Sequence, residues 1–320
     1  MKLLGAFFRL IRWPNLFFIT LTQCLFYYFI LLPCFLEMDS SPYENILYPG
    51  LFWLLSLSSV LIAAAGYIIN DYFDLNIDQV NKPLKIVVGK VIKRRWTILW
   101  HWLLSGLGML IGFYISWKLR NPIIFISHLV CVTLLWFYST TFKRRLLIGN
   151  IIVSLLTAWV ILVLYACEFR FHRFVDPVYH TLLARVYKFA ILYSSFAFVL
   201  SLIREVIKDL EDMEGDAHDG CRTMPIVWGM NASKIFVGTW LVVLIAALLV
   251  LQFYVLQFRW WWSIIYGMLF IIGPLVRLFL GLRRATTSND FHKLSMLVKM
   301  IMLTGIFSMT FFKLYTSWIA

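Results

Sequence analysis

Runs of about twenty apolar residues, the length at which a helix crosses a ~30 Å hydrocarbon layer, follow one another along the chain with short polar stretches between them. Nine such runs are placed near 14–36, 47–70, 97–117, 122–140, 147–167, 181–204, 234–256, 260–282 and 294–318. Arg185 and Lys188 delay the start of the sixth, and Pro274 and Arg277 lie inside the eighth. Backbone amides have no water to bond with in hydrocarbon, so runs of this kind fold as helices that satisfy their own N–H and C=O groups. The pattern predicts an all-α, polytopic membrane protein of about nine transmembrane helices, forming a single transmembrane domain over 1–320.

Composition points the same way. Of 320 residues, 62% are hydrophobic and 18% aromatic, and the mean hydropathy is +0.82, far outside the range of soluble domains. Five cysteines, odd in number and scattered, exclude a disulfide framework and a zinc-binding spacing. None of the six histidines pairs at metal-ligand spacing, and Gly-rich phosphate loops are absent. The net charge of +13 does not imply nucleic acid, because the basic residues sit in the loops between apolar runs. With the N-terminus inside, nineteen Lys and Arg fall on the inner side and eight on the outer. The positive-inside rule then predicts an integral protein of the cell (inner) membrane with a cytoplasmic N-terminus and an outside C-terminus. Lys2, Arg9 and Arg12 before the first run look like the start of a signal peptide, but the run is long and lacks a small-residue cleavage site, so it reads as a retained span.

Candidate chemistry is concentrated at two of the run ends. The second run closes on Asn70-Asp-Tyr-Phe-Asp-Leu-Asn-Ile-Asp-Gln-Val-Asn-Lys-Pro83. On one continuous helix Asp71, Asp74 and Asp78 fall within a ~60° arc, and Asn70 widens it to ~100°. The same spacing recurs 138 positions later as Asp209, Asp212 and Asp216, with Glu205 one turn earlier and Gly220, Arg222 and Pro225 following. Carboxylates at the end of a membrane span are costly to desolvate and mark function. Two such faces, both cytoplasmic in the predicted orientation, repel themselves unless a hard cation binds, and Mg²⁺ takes carboxylate and phosphate oxygens. A lipid-linked diphosphate fits two acid faces bridged by Mg²⁺, with Lys and Arg neutralising the remaining charge. If it leaves from an allylic isoprenoid, such a site stabilises the charge that develops as the C–O bond breaks. Arg12, Tyr138 with Lys143 and Arg144, and Lys208 lie at run ends on the same side.

The ordered set of Asn70-Asp-x-x-Asp74-x-x-x-Asp78 with Asn81-Lys-Pro83, Tyr138-Ser139 with Lys143-Arg144 and Gly149-Asn150, and Asp209-x-x-Asp212-x-x-x-Asp216 with Gly220, Arg222-Thr223 and Pro225 resembles the UbiA superfamily of intramembrane prenyltransferases. The resemblance covers almost the whole chain and is nearest to the branch that makes digeranylgeranylglyceryl phosphate. It implies helices around a central cavity in two pseudo-repeated acid-motif halves, with loops capping a cytoplasmic site. It also implies transfer of geranylgeranyl from its diphosphate to the hydroxyl of geranylgeranylglyceryl phosphate, dependent on Mg²⁺. Carried over, Asn70, Asp71, Asp74 and Asp78 serve one metal and the diphosphate, and Asp209, Asp212 and Asp216 the second metal. Lys143 and Arg144 grip the diphosphate, with Arg204 and Lys208 behind them. After the first motif that branch usually has Arg-Pro-x-Pro-Ser-Gly, where this chain has Leu84-Lys-Ile-Val-Val-Gly89, so Lys85 stands in for the Arg. Lys85, Lys90 and Arg222 are candidates for the acceptor phosphate. C-prenylation of a hydroxybenzoate or dihydroxynaphthoate is the alternative chemistry, and cation transport a distant one, since that predicts acids near span centres.

Overall fold

The structure, a computed structural model, describes residues 2–36, 47–81, 86–169 and 177–316. The side chain of Asp78 and all of Lys85, both singled out by the sequence, lie outside the described residues. Among those residues nine helices are long and apolar enough to cross a membrane: α1 Trp13–Phe35, α2 Pro49–Phe73, α3 Arg94–Leu119, α4 Pro122–Thr140, α5 Ile148–Glu168, α6 Pro177–Glu211, α7 Met224–Leu256, α8 Trp261–Arg284 and α9 Ser288–Leu314. The protein is an integral membrane protein, all-α, with no strand among the described residues beyond an isolated bridge between Val88 and Ile92.

Local sequence sets the helix ends. Proline stands in the first turn of α1, α2, α4 and α7, where its missing N–H has no intrahelical partner to lose. The side chain of Asn121 accepts from Ile123 N at 3.1 Å to cap α4, and Thr287 and Asp290 form a capping box on α9. In α8 the chain reaches Pro274 through a π-helical turn over Gly267–Ile272. A wider turn of this kind is a usual way for a helix to absorb an interior disruption.

Three boundaries differ clearly from the sequence pattern, among them the start of α9 at Ser288 rather than near 294. α6 continues seven residues beyond 204, because its polar end is helix reaching past the apolar run rather than loop. α7 begins at Met224 rather than near 234 and breaks at Gly229, whose φ of 84° belongs to the left-handed half of conformational space. α2 packs against α1, α3 and α4, while α6 packs against α5, α7 and α9. The second and sixth helices are thus the hubs, and both carry an acid motif.

The expectation that each acid triplet lies on one helix face is corrected by the backbone. α2 ends at Phe73, Asp74 follows at φ −87° and ψ 4°, and a separate helix Leu75–Asn81 begins. α6 ends at Glu211, Asp212 follows at φ −97° and ψ 10°, and a separate helix Met213–His218 begins. Both middle aspartates occupy the bridge region between α and β, where a span hands over to a short helix. Aspartate favours such boundaries because its side chain competes for nearby backbone groups. The two short helices pack against each other, so the motifs meet at one end of the bundle.

Candidate active site

The first aspartate of each motif is held by a residue at the start of an earlier span. Arg12 Nη2 donates to Asp71 Oδ1 at 2.7 Å, and Asn150 Nδ2 donates to Asp209 Oδ2 at 2.8 Å. Arg12 and Asn150 are themselves 138 positions apart, the offset that relates Asp71 to Asp209. The repeat therefore extends from the acids to their partners. Arg12 takes left-handed backbone, with φ 51°, directly before α1, and its guanidinium lies 5.1 Å from the centre of the Tyr67 ring.

Asp74 has two partners. Its Oδ2 accepts from Asn70 Nδ2 at 2.6 Å, and its other oxygen pairs with the ammonium of Lys143. Lys143 belongs to the short turn Phe142–Arg144 after α4, and it also lies within electrostatic reach of Asp216 and Asp71. One lysine therefore faces both motifs. Burial, then neighbouring Arg144, pushes its pKa down to about 7, while Asp216 and Asp71 oppose the shift. Tyr138, at the end of α4, is within reach of Glu205, Asp209, Arg12 and Asp216, which places it between the halves.

Other candidates are held differently. Arg144 turns to Asp219 at 2.8 Å, and its carbonyl accepts from Arg222 N at 2.9 Å, so it ties the α4–α5 loop to the segment after the second motif. The Arg222 side chain is exposed. Arg204 and Lys208 both donate to Glu205, at 2.9 and 3.2 Å, rather than to an aspartate of either motif. A groove of about 470 Å³ between α7 and α8, lined by Lys234, Thr239, Phe279 and Arg283 among others, contains none of the motif residues.

Gly149 explains how Lys143 reaches its place. A Cβ at 149 would stand 2.8 Å from Lys143 Cα and 3.0 Å from Phe142 O, so only glycine lets the turn fold back on the start of α5. Gly149→Ala is expected to leave the protein inserted and folded but to push Lys143 off Asp74. Turnover should fall by on the order of 10²-fold, the usual cost of a displacement near 1 Å at a reacting centre. Steady-state rates beside a melting curve in detergent check this, and unchanged turnover would contradict the tight approach.

Among the described residues no three His, Cys, Asp or Glu side chains converge closely enough to form a metal cluster; the acids are drawn to Arg12, Lys143 and the two asparagines instead. The donors nevertheless suit a hard cation. Asn70 Oδ1 is buried without a hydrogen-bond partner on the amide that holds Asp74, so an amide oxygen and a carboxylate lie together as oxygen donors of the kind Mg²⁺ prefers. Sequence reasoning passed over Asn15, Tyr67, Asp219 and Lys299. For Lys299 a signal existed, since it is an ammonium placed inside the ninth apolar run.

An all-helical membrane protein with paired acid motifs at the ends of two hub helices is the class that fold and site define. The profile of the UbiA prenyltransferase family matches residues 15–304, and the chain belongs to that family. It is 30% identical over 190 residues to the digeranylgeranylglyceryl phosphate synthase of Methanothermobacter thermautotrophicus, covering 58% of this chain and 60% of that one. To the synthase of the same name from Thermococcus sibiricus it is 31% identical over 197 residues, 61% and 63% of the two chains. It thus spans about three fifths of these relatives. The Methanosphaera stadtmanae synthase is 28% identical over 255 residues, 79% and 84%. A solved digeranylgeranylglyceryl phosphate synthase structure superposes with a TM-score of 0.58 at 22% identity, over 97% of this chain and 99% of that one. An Archaeoglobus fulgidus UbiA homologue bound to DMAPP and Mg²⁺ superposes at 0.56 and 14% identity, over 95% and 99%. At such identities these two similarities establish the fold.

Proposed function

We propose that the protein is a Mg²⁺-dependent prenyltransferase that moves geranylgeranyl from its diphosphate to the free hydroxyl of geranylgeranylglyceryl phosphate. The observation that carries this reading is Lys143, paired with Asp74 of one motif and within reach of Asp216 of the other, at the end of an apolar bundle. That arrangement suits a polyanionic head on a hydrocarbon tail. Membership of the family, relatives that bear the synthase name, and a homologue holding DMAPP with Mg²⁺ support it.

Asp71, Asp74 and Asn70 Oδ1 would hold metal on one side, and Asp209, Asp212 and Asp216 on the other, with Asp78 assigned to the first set. Bound there, Mg²⁺ would supply positive charge against the leaving diphosphate. The chain's own part is position and charge. Lys143 faces the diphosphate oxygens directly, and Arg144 holds the turn that carries it through Asp219. As the allylic C–O bond breaks, its electron pair passes to the diphosphate, where the Lys143 ammonium is already placed to meet the new charge. The acceptor oxygen then bonds to the allylic carbon and its proton is lost, so one ether, one diphosphate and one proton are formed. Arg12 is fixed by Asp71 and Tyr67 at the edge of the same site, and Tyr138 closes it from α4. The excess of Lys and Arg on one side supports a cytoplasmic N-terminus and site and an outside C-terminus, in the cell membrane.

The test is transfer from geranylgeranyl diphosphate by detergent-purified protein, comparing geranylgeranylglyceryl phosphate with 4-hydroxybenzoate and dihydroxynaphthoate. Transfer to the glycerophosphate is expected, with a loss on the order of 10²-fold or more in EDTA that added Mg²⁺ restores. Transfer only to an aromatic acceptor would overturn the acceptor, and transfer to none, over several donor lengths, would overturn the enzymatic reading.

A further inference from the structure

A second cationic centre lies beside the acid motifs. Lys299 sits eleven positions into α9, about 16 Å along its axis. An ammonium at membrane depth is retained where something pairs with it. Its Nζ donates to Asn15 Oδ1 at 3.0 Å and stands 5.3 Å from the centre of the Phe18 ring. Both partners are uncharged. Its charged neighbour is Arg204, of the same sign, and among the described residues no carboxylate pairs with it.

Arg204 and Lys208 share the single carboxylate of Glu205. Moreover, Arg204 Nε is buried and meets no acceptor among the described residues. Three partly buried cations thus have Glu205 as their one paired carboxylate among the described residues, with Asp209 within reach of Lys208 but hydrogen-bonded to Asn150, so the cluster carries an excess of positive charge. The cluster adjoins the first acid motif, because Asn15 hydrogen-bonds Tyr67, the ring under Arg12, and Arg12 is spent on Asp71.

We propose that Lys299, Arg204 and Lys208 form the subsite for the monoester phosphate of the acceptor. This rests on the glycerophosphate reading above and moves the acceptor phosphate from the loop residues Lys85, Lys90 and Arg222 to the bundle interior. A phosphate monoester carries about −1.5 to −2 charges at neutral pH and three acceptor oxygens, which matches the excess and the free guanidinium N–H. The carboxylate of a hydroxybenzoate carries half that charge and would leave one cation unpaired. Arg12, neutralised by Asp71, then separates the acceptor phosphate from the diphosphate. Two anions in one cavity need such a partition.

The experiment uses the full chain in nanodiscs, with geranylgeranyl diphosphate as donor and geranylgeranylglyceryl phosphate or its dephosphorylated alcohol as acceptor. The wild type should prefer the phosphorylated acceptor. In Lys299→Gln the KM for that acceptor should rise on the order of 30-fold, as for loss of one charge-assisted hydrogen bond. The donor KM and the rate with the alcohol should hold, and Lys299→Arg should recover most of the loss. A rise in donor KM would assign the pocket to the diphosphate and overturn the proposal. An equal loss with both acceptors would show a structural role, and an unchanged variant would remove Lys299 from the site. A wild type that ignores the glycerophosphate and prenylates only aromatic acceptors would instead overturn the acceptor reading, and the subsite with it.

Discussion

Asp74→Asn is expected to give a folded, membrane-inserted protein whose kcat for prenyl transfer has fallen on the order of 10³-fold. Asp74 lies at the handover from α2 to the short helix, where its two oxygens take Asn70 and Lys143. An amide has nearly the same volume, so packing is preserved. It carries no charge, however, and presents an N–H₂ group either to the Lys143 ammonium or to the Asn70 amide. Toward Lys143 this sets donor against donor, and toward Asn70 it is accommodated only if the Asn70 amide turns over and gives up its free Oδ1. One hard anionic donor is lost beside Asn70 Oδ1, so the Mg²⁺ concentration at half-maximal rate should rise together with the fall in kcat. Rates measured over a Mg²⁺ titration, with melting curves to confirm folding, check both effects. Activity within tenfold of wild type at the same Mg²⁺ requirement would remove Asp74 from the site.

The nine spans were legible because the bilayer dictates their length. Each observed helix overlaps its expected run, and the differences lie where hydrocarbon no longer decides. α6 runs on to Glu211 because a helix can continue into water once it has left the apolar layer, which hydropathy does not register. α7 starts at Met224 because a glycine at positive φ lets a short helical piece join it at an angle. The acid motifs were legible as a pair through their shared offset. Their geometry was not, since the 100° rule assumes one continuous helix and each motif breaks at its middle aspartate.

Partners were the least legible part. Arg12 and Asn150 stand at the repeat offset, yet one is a cation and the other an amide, so residue type hid the correspondence. Arg144 follows Lys143 in the chain, but successive side chains of a tight turn point apart, and the structure gives Arg144 to Asp219. Arg204 and Lys208 flank an acid on their own helix, and Glu205 takes them both. A sequence shows which charges are near the membrane surface; which anion Arg12, Lys143 and Arg144 face depends on contacts that cross 59 positions or more.

Lys143→Met should separate stability from chemistry at the same ion pair. The two side chains are 10% and 15% exposed, so removing the ammonium leaves the Asp74 carboxylate without its charged partner in a largely dehydrated place. Breaking a buried pair on one side costs about 3 kcal/mol or more, because the remaining charge keeps its desolvation penalty. Replacing Asp74 as well removes that charge. The double variant Lys143→Met with Asp74→Asn is therefore expected to melt above Lys143→Met alone in detergent. Catalysis should not follow. Among the described residues Lys143 is a cation within reach of both motifs, and methionine offers nothing to a leaving diphosphate, so turnover should fall on the order of 10²-fold or more in the single variant and stay low in the double. Recovery of both stability and turnover in the double variant would mean that the pair serves the fold alone. A single variant that keeps wild-type turnover would take Lys143 out of the chemistry and leave the joining of the two motifs to Asp216 and its other neighbours.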